Sequence, residues 1–226
     1  MSIATSPYGP WSNPIPLDAV FDAAVPPFVM RGEQNRNTNL AMSIQSDGSM
    51  AGLWRRCCTP TPKYSPPGGG GESVLFAIHA TDWRNISTWN ASSTKLLPQL
   101  RANGYEDPHI WRDPQRTKSG KPVFHAVFHA MIGGWHGPEF NNTQVGAHAY
   151  SDDGGHSWTD TETAFNLTVQ YDDGTSTTFV QRERPHVVLD AAGNPSHLVS
   201  GVTYSLLPTL PTATIVQPIS QSHARD

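Results

Sequence analysis

The stretch ERPHVV at 183–188 nearly repeats EDPHIW at 106–111. Both place an acidic residue, a proline and a histidine ahead of apolar residues, the pattern of a strand whose first positions are bent by proline. A more divergent third copy, NLAMSIQSDG at 39–48, sets alternating apolar residues ahead of an acidic residue and a glycine. Each copy continues into a turn and a second apolar stretch: MAGLWRRC after 39–48, VFHAVFHAM after 106–111, SHLVSGVTY after 183–188. Strand, turn, strand is thus written three times. Upstream stand Trp11-Ser12, Trp89-Asn90 and Trp158-Thr159, read as a Trp-ended strand before each pair. An all-β unit recurring at several tens of residues, with one aromatic anchor per unit, is the signature of a β-propeller built from four-stranded antiparallel blades.

Composition points the same way. The 226 residues include 20 Pro and 19 Gly, which interrupt helices and favour short strands between turns. With 37% apolar and 15% charged residues, 1–226 reads as a single β-propeller domain, and 59–73, TPTPKYSPPGGGGES, as a flexible loop. The best helix candidate, TKLLPQLRANG at 94–104, contains Pro98 and ends at Gly104, so a turn or two is expected there. SDDGGHSW at 151–158 fits the Asp-box turn of propellers such as sialidases, in which Asp and Ser cap the turn's own amides.

A formal charge of −4 supplies no basic face for a phosphate backbone, so nucleic acid is not an expected partner. No apolar run approaches the roughly 20 residues that cross a bilayer, so no membrane insertion is expected. Four sequons, at Asn85, Asn90, Asn141 and Asn166, predict a secreted glycoprotein of a eukaryotic secretory route, with a larger extracellular assembly as a further expectation. MSIATSPYGPW lacks the features of a signal peptide, which points to an incomplete or processed product. Cys57 and Cys58 are adjacent, so they cannot staple distant parts of the fold, and no nearby Cys or His completes a zinc set.

GPW at 9–11, NLAMSIQSDGSMAGLWR, ATDWRNISTW, YEDPHIWRD, FHAVFHAM, GAHAYSDDGGHSW and RERPHVVLDAAGNPSHLVSGV, taken in order, resemble the five-bladed β-propeller glycoside hydrolases of family 43 and its relatives. That group cleaves arabinan, xylan and galactan side chains. The resemblance covers most of the chain and implies a propeller that lacks an N-terminal blade. It also implies a funnel lined by three carboxylates, each at the start of an innermost strand. Asp107 resembles the carboxylate that tunes pKa, and Glu183 resembles the general acid. An inverting glycosidase needs such an acid facing a base across roughly 6.5 to 9.5 Å, a gap that admits water.

The position matching the base carries Asn39, which has no charge to accept a proton. Two readings follow. The base belongs to a preceding blade, and the protein hydrolyses polysaccharide side chains; or the base is lost, and the protein is a glycan-binding or scaffolding propeller. A sialidase-like reading ranks last, for want of a run of arginines to bind a sugar carboxylate.

Carbohydrate contact is expected from Asn39, Glu106, His109, Trp111, His129, His148, Arg184, His186 and Trp54. Strand neighbours face opposite sides, so Glu106 and Asp107 share the axis only if Pro108 marks a bend, and the family motif favours Asp107. His109 and His186 follow the two prolines at equal offsets and suit either a sugar or a neighbouring blade. His125 and His129 lie four apart, but Val and Phe around them favour a strand over a metalloprotease helix. Of Arg182 and Arg184, one must face away from Glu183 if Glu183 is to donate a proton. Trp54 and Trp111 suit sugar platforms or packing between blades. No cofactor is required; the resemblance allows calcium in the central channel near His129 or His148.

Overall fold

The structure, a computed structural model, describes residues 1–4, 6–25, 29–30, 33–34, 37–59, 72–97, 104–130, 145–204 and 212–219. The sequon at Asn141, most of the loop 59–73 and the Pro98 turn lie outside these residues, as do the side chains of Cys57 and Cys58.

The fold is nearly all-β. A seven-residue helix, α1 (Asp18–Ala24), and the pair β1 (Val29–Met30) and β2 (Glu33–Gln34) precede three antiparallel meanders. Sheet I runs β3 (Asn37–Ile44), β4 (Met50–Thr59), β5 (Glu72–Ala80), β6 (Trp89–Lys95). Sheet II runs β7 (Tyr105–Lys118), β8 (Lys121–Ala130), β9 (Val145–Ser151), β10 (Glu162–Phe165). After the hairpin β11 (Thr168–Gln170) and β12 (Ser176–Thr178), sheet III runs β13 (Gln181–Leu189), β14 (Pro195–Thr203), β15 (Thr212–Pro218). The first strand of each sheet is the inner one: β3 and β13 both lie against β7.

Strand parity builds the layers. In β4 and β5 the even residues Met50, Trp54, Val74, Phe76, Ile78 and Ala80 form one core with Phe21 of α1. The odd residues Leu53, Leu75 and Ala77 pack on Phe128, Ala130 and Ala147 of sheet II. Because both faces are covered, the strands read as apolar runs rather than strict alternation. Between sheets II and III lie Trp111, Val127, Phe165, Val187 and Leu198.

Of the 94–104 helix candidate, Thr94 and Lys95 end strand β6 and 98–103 lie outside the described residues; the α-helix described is α1, whose Phe21 and Val20 pack on one face of sheet I. The tryptophans are placed differently from the sequence expectation. Trp89 opens the outermost strand of its own sheet, while Trp11 and Trp158 lie outside strands, so each meander begins at its inner strand.

Candidate active site

Each inner strand carries the same irregularity at the same place. Pairing shifts between Thr38 and Ala41 in β3, between Glu106 and His109 in β7, and between Glu183 and His186 in β13. Within these bulges Asn39, Asp107 and Arg184 take φ of +49°, +50° and +52°, a left-handed backbone that non-glycine residues seldom adopt. The structural equivalents are therefore Asn39, Asp107 and Arg184 on one hand, and Thr38, Glu106 and Glu183 on the other. This agrees with the repeat of ERPHVV on EDPHIW, which set Glu183 level with Glu106, and differs from the resemblance, which grouped Glu183 with Asn39 and Asp107. The bulge also answers the parity question: with an extra residue in the strand, Glu106 and Asp107 join one cluster.

The side chains meet there. Asn39 Nδ2 donates to Asp107 Oδ1, and Arg55 Nη1 donates to Asn39 Oδ1 at 3.2 Å. Arg55 Nη1 also stands 2.9 Å from Glu106 Oε2, while His129 Nδ1 lies 3.2 Å from Glu106 Oε1. Arg55 Nε donates to Ser73 Oγ, which donates to the Tyr105 carbonyl, tying sheet I to the start of β7. Arg184 lies between two carboxylates, with Nε 4.0 Å from Asp107 Oδ2 and Nη1 3.7 Å from Glu183 Oε2.

Electrostatics separates the two acidic neighbours in β7. Burial pushes Asp107 up, and the adjacent Glu106 charge adds to that, outweighing Arg184, His129 and Arg55. For Glu106 burial also acts upward, but the His129 bond and the Arg55 charge overcome it and hold the carboxyl below its usual range. One is the fixed anion and the other the more readily protonated group, the division that acid–base chemistry uses. A ligand atom each from Glu106, Asp107 and His129 lie within 4.8 Å of one another. Two carboxylates and an imidazole could hold a cation, though calcium would need further oxygens beyond these. His129 itself is buried, with Nε2 lacking a partner.

The other expected contact residues divide. His109 and His186 come together across β7 and β13, their rings 3.9 Å apart. Arg182 faces away as required: it is buried, donates to Ser200, the Asn166 carbonyl and Gln217, and lies over Phe165. Burial lowers its pKa to about 10. Three expectations are corrected. Trp54 is fully buried between Phe21 and Phe76, on the side of sheet I away from the cluster, because even positions of β4 face α1. Trp111 is buried at the seam of sheets II and III, stacked on His125, and offers no open platform. His148 sits on the third strand of sheet II, bonded to His125 at 3.0 Å, and does not reach the axis.

Sequence reasoning missed Arg55. Its signal was a pair of arginines, Arg55-Arg56, inside an apolar strand, since charges there must find partners. Beside Glu183 and Arg184 opens a cavity of about 330 Å³, also lined by Gln181, Gly201, Thr203 and Thr214. The 151–158 turn is capped by Asp153, which accepts from Ser151, His156 and Ser157, and these bonds take its pKa to about 2 against the upward push of burial.

Antiparallel meanders with their inner strands gathered on one polar cluster define a propeller-like, nearly all-β class of protein. The fold is similar to that of an endo-arabinase from Bacteroides thetaiotaomicron, at a TM-score of 0.50 and 14% identity, over 97% of this chain and 64% of that one. It is also similar to a glycosyl hydrolase from Bacteroides ovatus, at a TM-score of 0.40 and 14% identity, over 83% of this chain and 50% of that one. At such identity the likeness to the endo-arabinase is one of fold alone, and the chain spans less than two thirds of either protein. No protein-family model and no curated protein matches the sequence.

Proposed function

We propose that the protein is a glycoside hydrolase of five-bladed propeller type that cleaves polysaccharide side chains with inversion, sheets I to III forming three of its blades. Glu183 donates the proton to the leaving oxygen, Asp107 tunes and orients, and Asn39, Glu106 and Arg184 shape the sugar site. The observation that carries this reading is the threefold bulge, which gathers Asn39, Asp107, Arg184 and Glu183 from three strands into one cluster. His109 and His186 border it. The chemistry needs no cofactor. Calcium in the central channel is a further proposal, with Glu106, Asp107 and His129 as the side chains that would hold it. The exposed Asn85, Asn90 and Asn166 support a secreted glycoprotein.

A second reading, a glycan-binding propeller without catalysis, is favoured by Asn39. The position equivalent to Asp107 in sheet I is an amide that donates to Asp107, so it supplies no base. Aryl glycosides and branched arabinan, xylan and galactan, offered to wild type and Glu183→Gln, separate the two. Hydrolysis by the wild type, reduced roughly a thousandfold in the variant on unactivated substrates, is expected for a general acid. Equal hydrolysis removes the Glu183 assignment, and binding without turnover leaves the second reading.

A further inference from the structure

We propose that Arg184 recognises a carboxylate on the sugar chain, so that the site takes an acidic, uronate-bearing oligosaccharide in preference to a neutral one. This rests on the carbohydrate reading above and names its substrate class.

The argument begins with the bulge in β13. A φ of +52° at Arg184 turns its side chain out of the alternation of the strand, and 75% of that side chain is exposed to solvent. Arg182, two residues earlier, spends its guanidinium on Ser200, Gln217 and the Asn166 carbonyl. Arg184 does the reverse. Its contacts with Glu183 and Asp107, at 3.7 and 4.0 Å, are too long for hydrogen bonds, and it makes none among the described residues. An exposed ion pair of that kind holds the side chain only weakly. The guanidinium fork therefore keeps its donors for a ligand, and a planar fork matches a carboxylate with two parallel bonds.

The surroundings define the rest of the ligand. Gly201 lies opposite Glu183 on β14, and Thr214 opposite Gly201 on β15. Without a side chain at 201 the row is hollow, and a Cβ there would still stand 3.7 Å from the Glu183 carbonyl. The hollow belongs to the cavity beside Arg184, whose lining of Gln181, Thr203, Thr212 and Thr214 is rich in hydroxyl and amide groups suited to sugar hydroxyls. Arg184 is the only cation among its described lining residues. Arg55 and His129 are already engaged with Glu106, so within this cavity the acidic group of a sugar has the outward donors of Arg184 as its partner, on the side away from Glu183 and Asp107.

The test uses uronate-containing oligosaccharides from glucuronoxylan, pectin and alginate, each in native form and with the carboxyl reduced to an alcohol, titrated calorimetrically into the full chain. At least one native form should bind wild type about tenfold or more tightly than its reduced partner. That ratio should fall to about one in Arg184→Asn, which suits the positive φ, and return in part in Arg184→Lys. Equal binding of native and reduced forms by wild type overturns the inference and leaves the carbohydrate reading standing. A preference that persists in Arg184→Asn overturns the assignment to this residue. Absence of binding to these and to neutral arabinan, xylan and galactan oligosaccharides overturns both.

Discussion

At the scale of single residues, the cluster depends on Asn39 being an amide. Its Nδ2 satisfies Asp107 and its Oδ1 receives Arg55, a division of roles that a carboxylate cannot reproduce. Asn39→Asp sets two carboxylates in contact and is expected to cost about 1–3 kcal/mol at neutral pH, the range for an unsatisfied buried polar group. Asp107, already pushed up by burial and by Glu106, should rise further. A carboxyl raised in the folded state binds protons more readily than in the unfolded chain, so the deficit should shrink as pH falls towards 4. Urea unfolding of both proteins at pH 7 and pH 4.5 measures this. A deficit that does not narrow on acidification contradicts the described contacts.

At the scale of elements, the repeated Glu-x-Pro-His was enough to mark two inner strands and the carboxylates at their starts. It did not mark the bulges. A period of two forbids Glu106 and Asp107 from sharing a face, and although Asn39 and Asp107 are of types that tolerate positive φ, nothing local requires it of them or signals it at Arg184. The repeat set Glu183 level with Glu106, as the bulges do; it is the resemblance, grouping Glu183 with Asn39 and Asp107, that lies one residue off. Trp54 and Trp111 could be recognised as aromatic anchors, but which face they occupy depends on strand neighbours that α1 and β13 supply from afar. Outer strands carry their own constraints. An ideal Cβ on Gly146 of β9 would fall 1.8 Å from Phe165 Cε1 of β10. Gly146→Ala should therefore destabilise by about 1–3 kcal/mol, the usual range for overpacking. The double variant Gly146→Ala with Phe165→Leu should recover much of that loss in thermal unfolding. Additive losses would show that the ring is not what Gly146 accommodates.

For the whole molecule, the seams between sheets carry half-buried histidines. Burial, with His186 beside one and His125 beside the other, lowers His109 and His148 to about 4. Burial also lowers His125 and His79, the latter stacked 4.0 Å from His156 at the seam of sheets I and II. His109 and His148 stay neutral in the folded protein well below the pH at which the unfolded chain protonates them, near 6.5, and His125 and His79 shift in the same direction. Stability from this source is thus full above about pH 6.5 and falls as pH drops towards 4. The melting temperature should decline by roughly 5 °C or more between pH 7 and 4.5, and less steeply in His148→Gln. A flat profile would contradict neutral, desolvated histidines at the seams. The sequence offered His109 and His148 as candidate sugar ligands; only the assembled sheets turn His148, together with His125, into a seam residue.

The most direct measurement of the central claim is a crystal structure of Glu183→Gln soaked with a branched oligosaccharide that the wild type cleaves or binds. A sugar ring should lie within hydrogen-bonding reach of Asp107 and residue 183, with Arg184 at its edge. A sugar bound elsewhere, with Asn39, Asp107 and Glu183 untouched, would contradict the account.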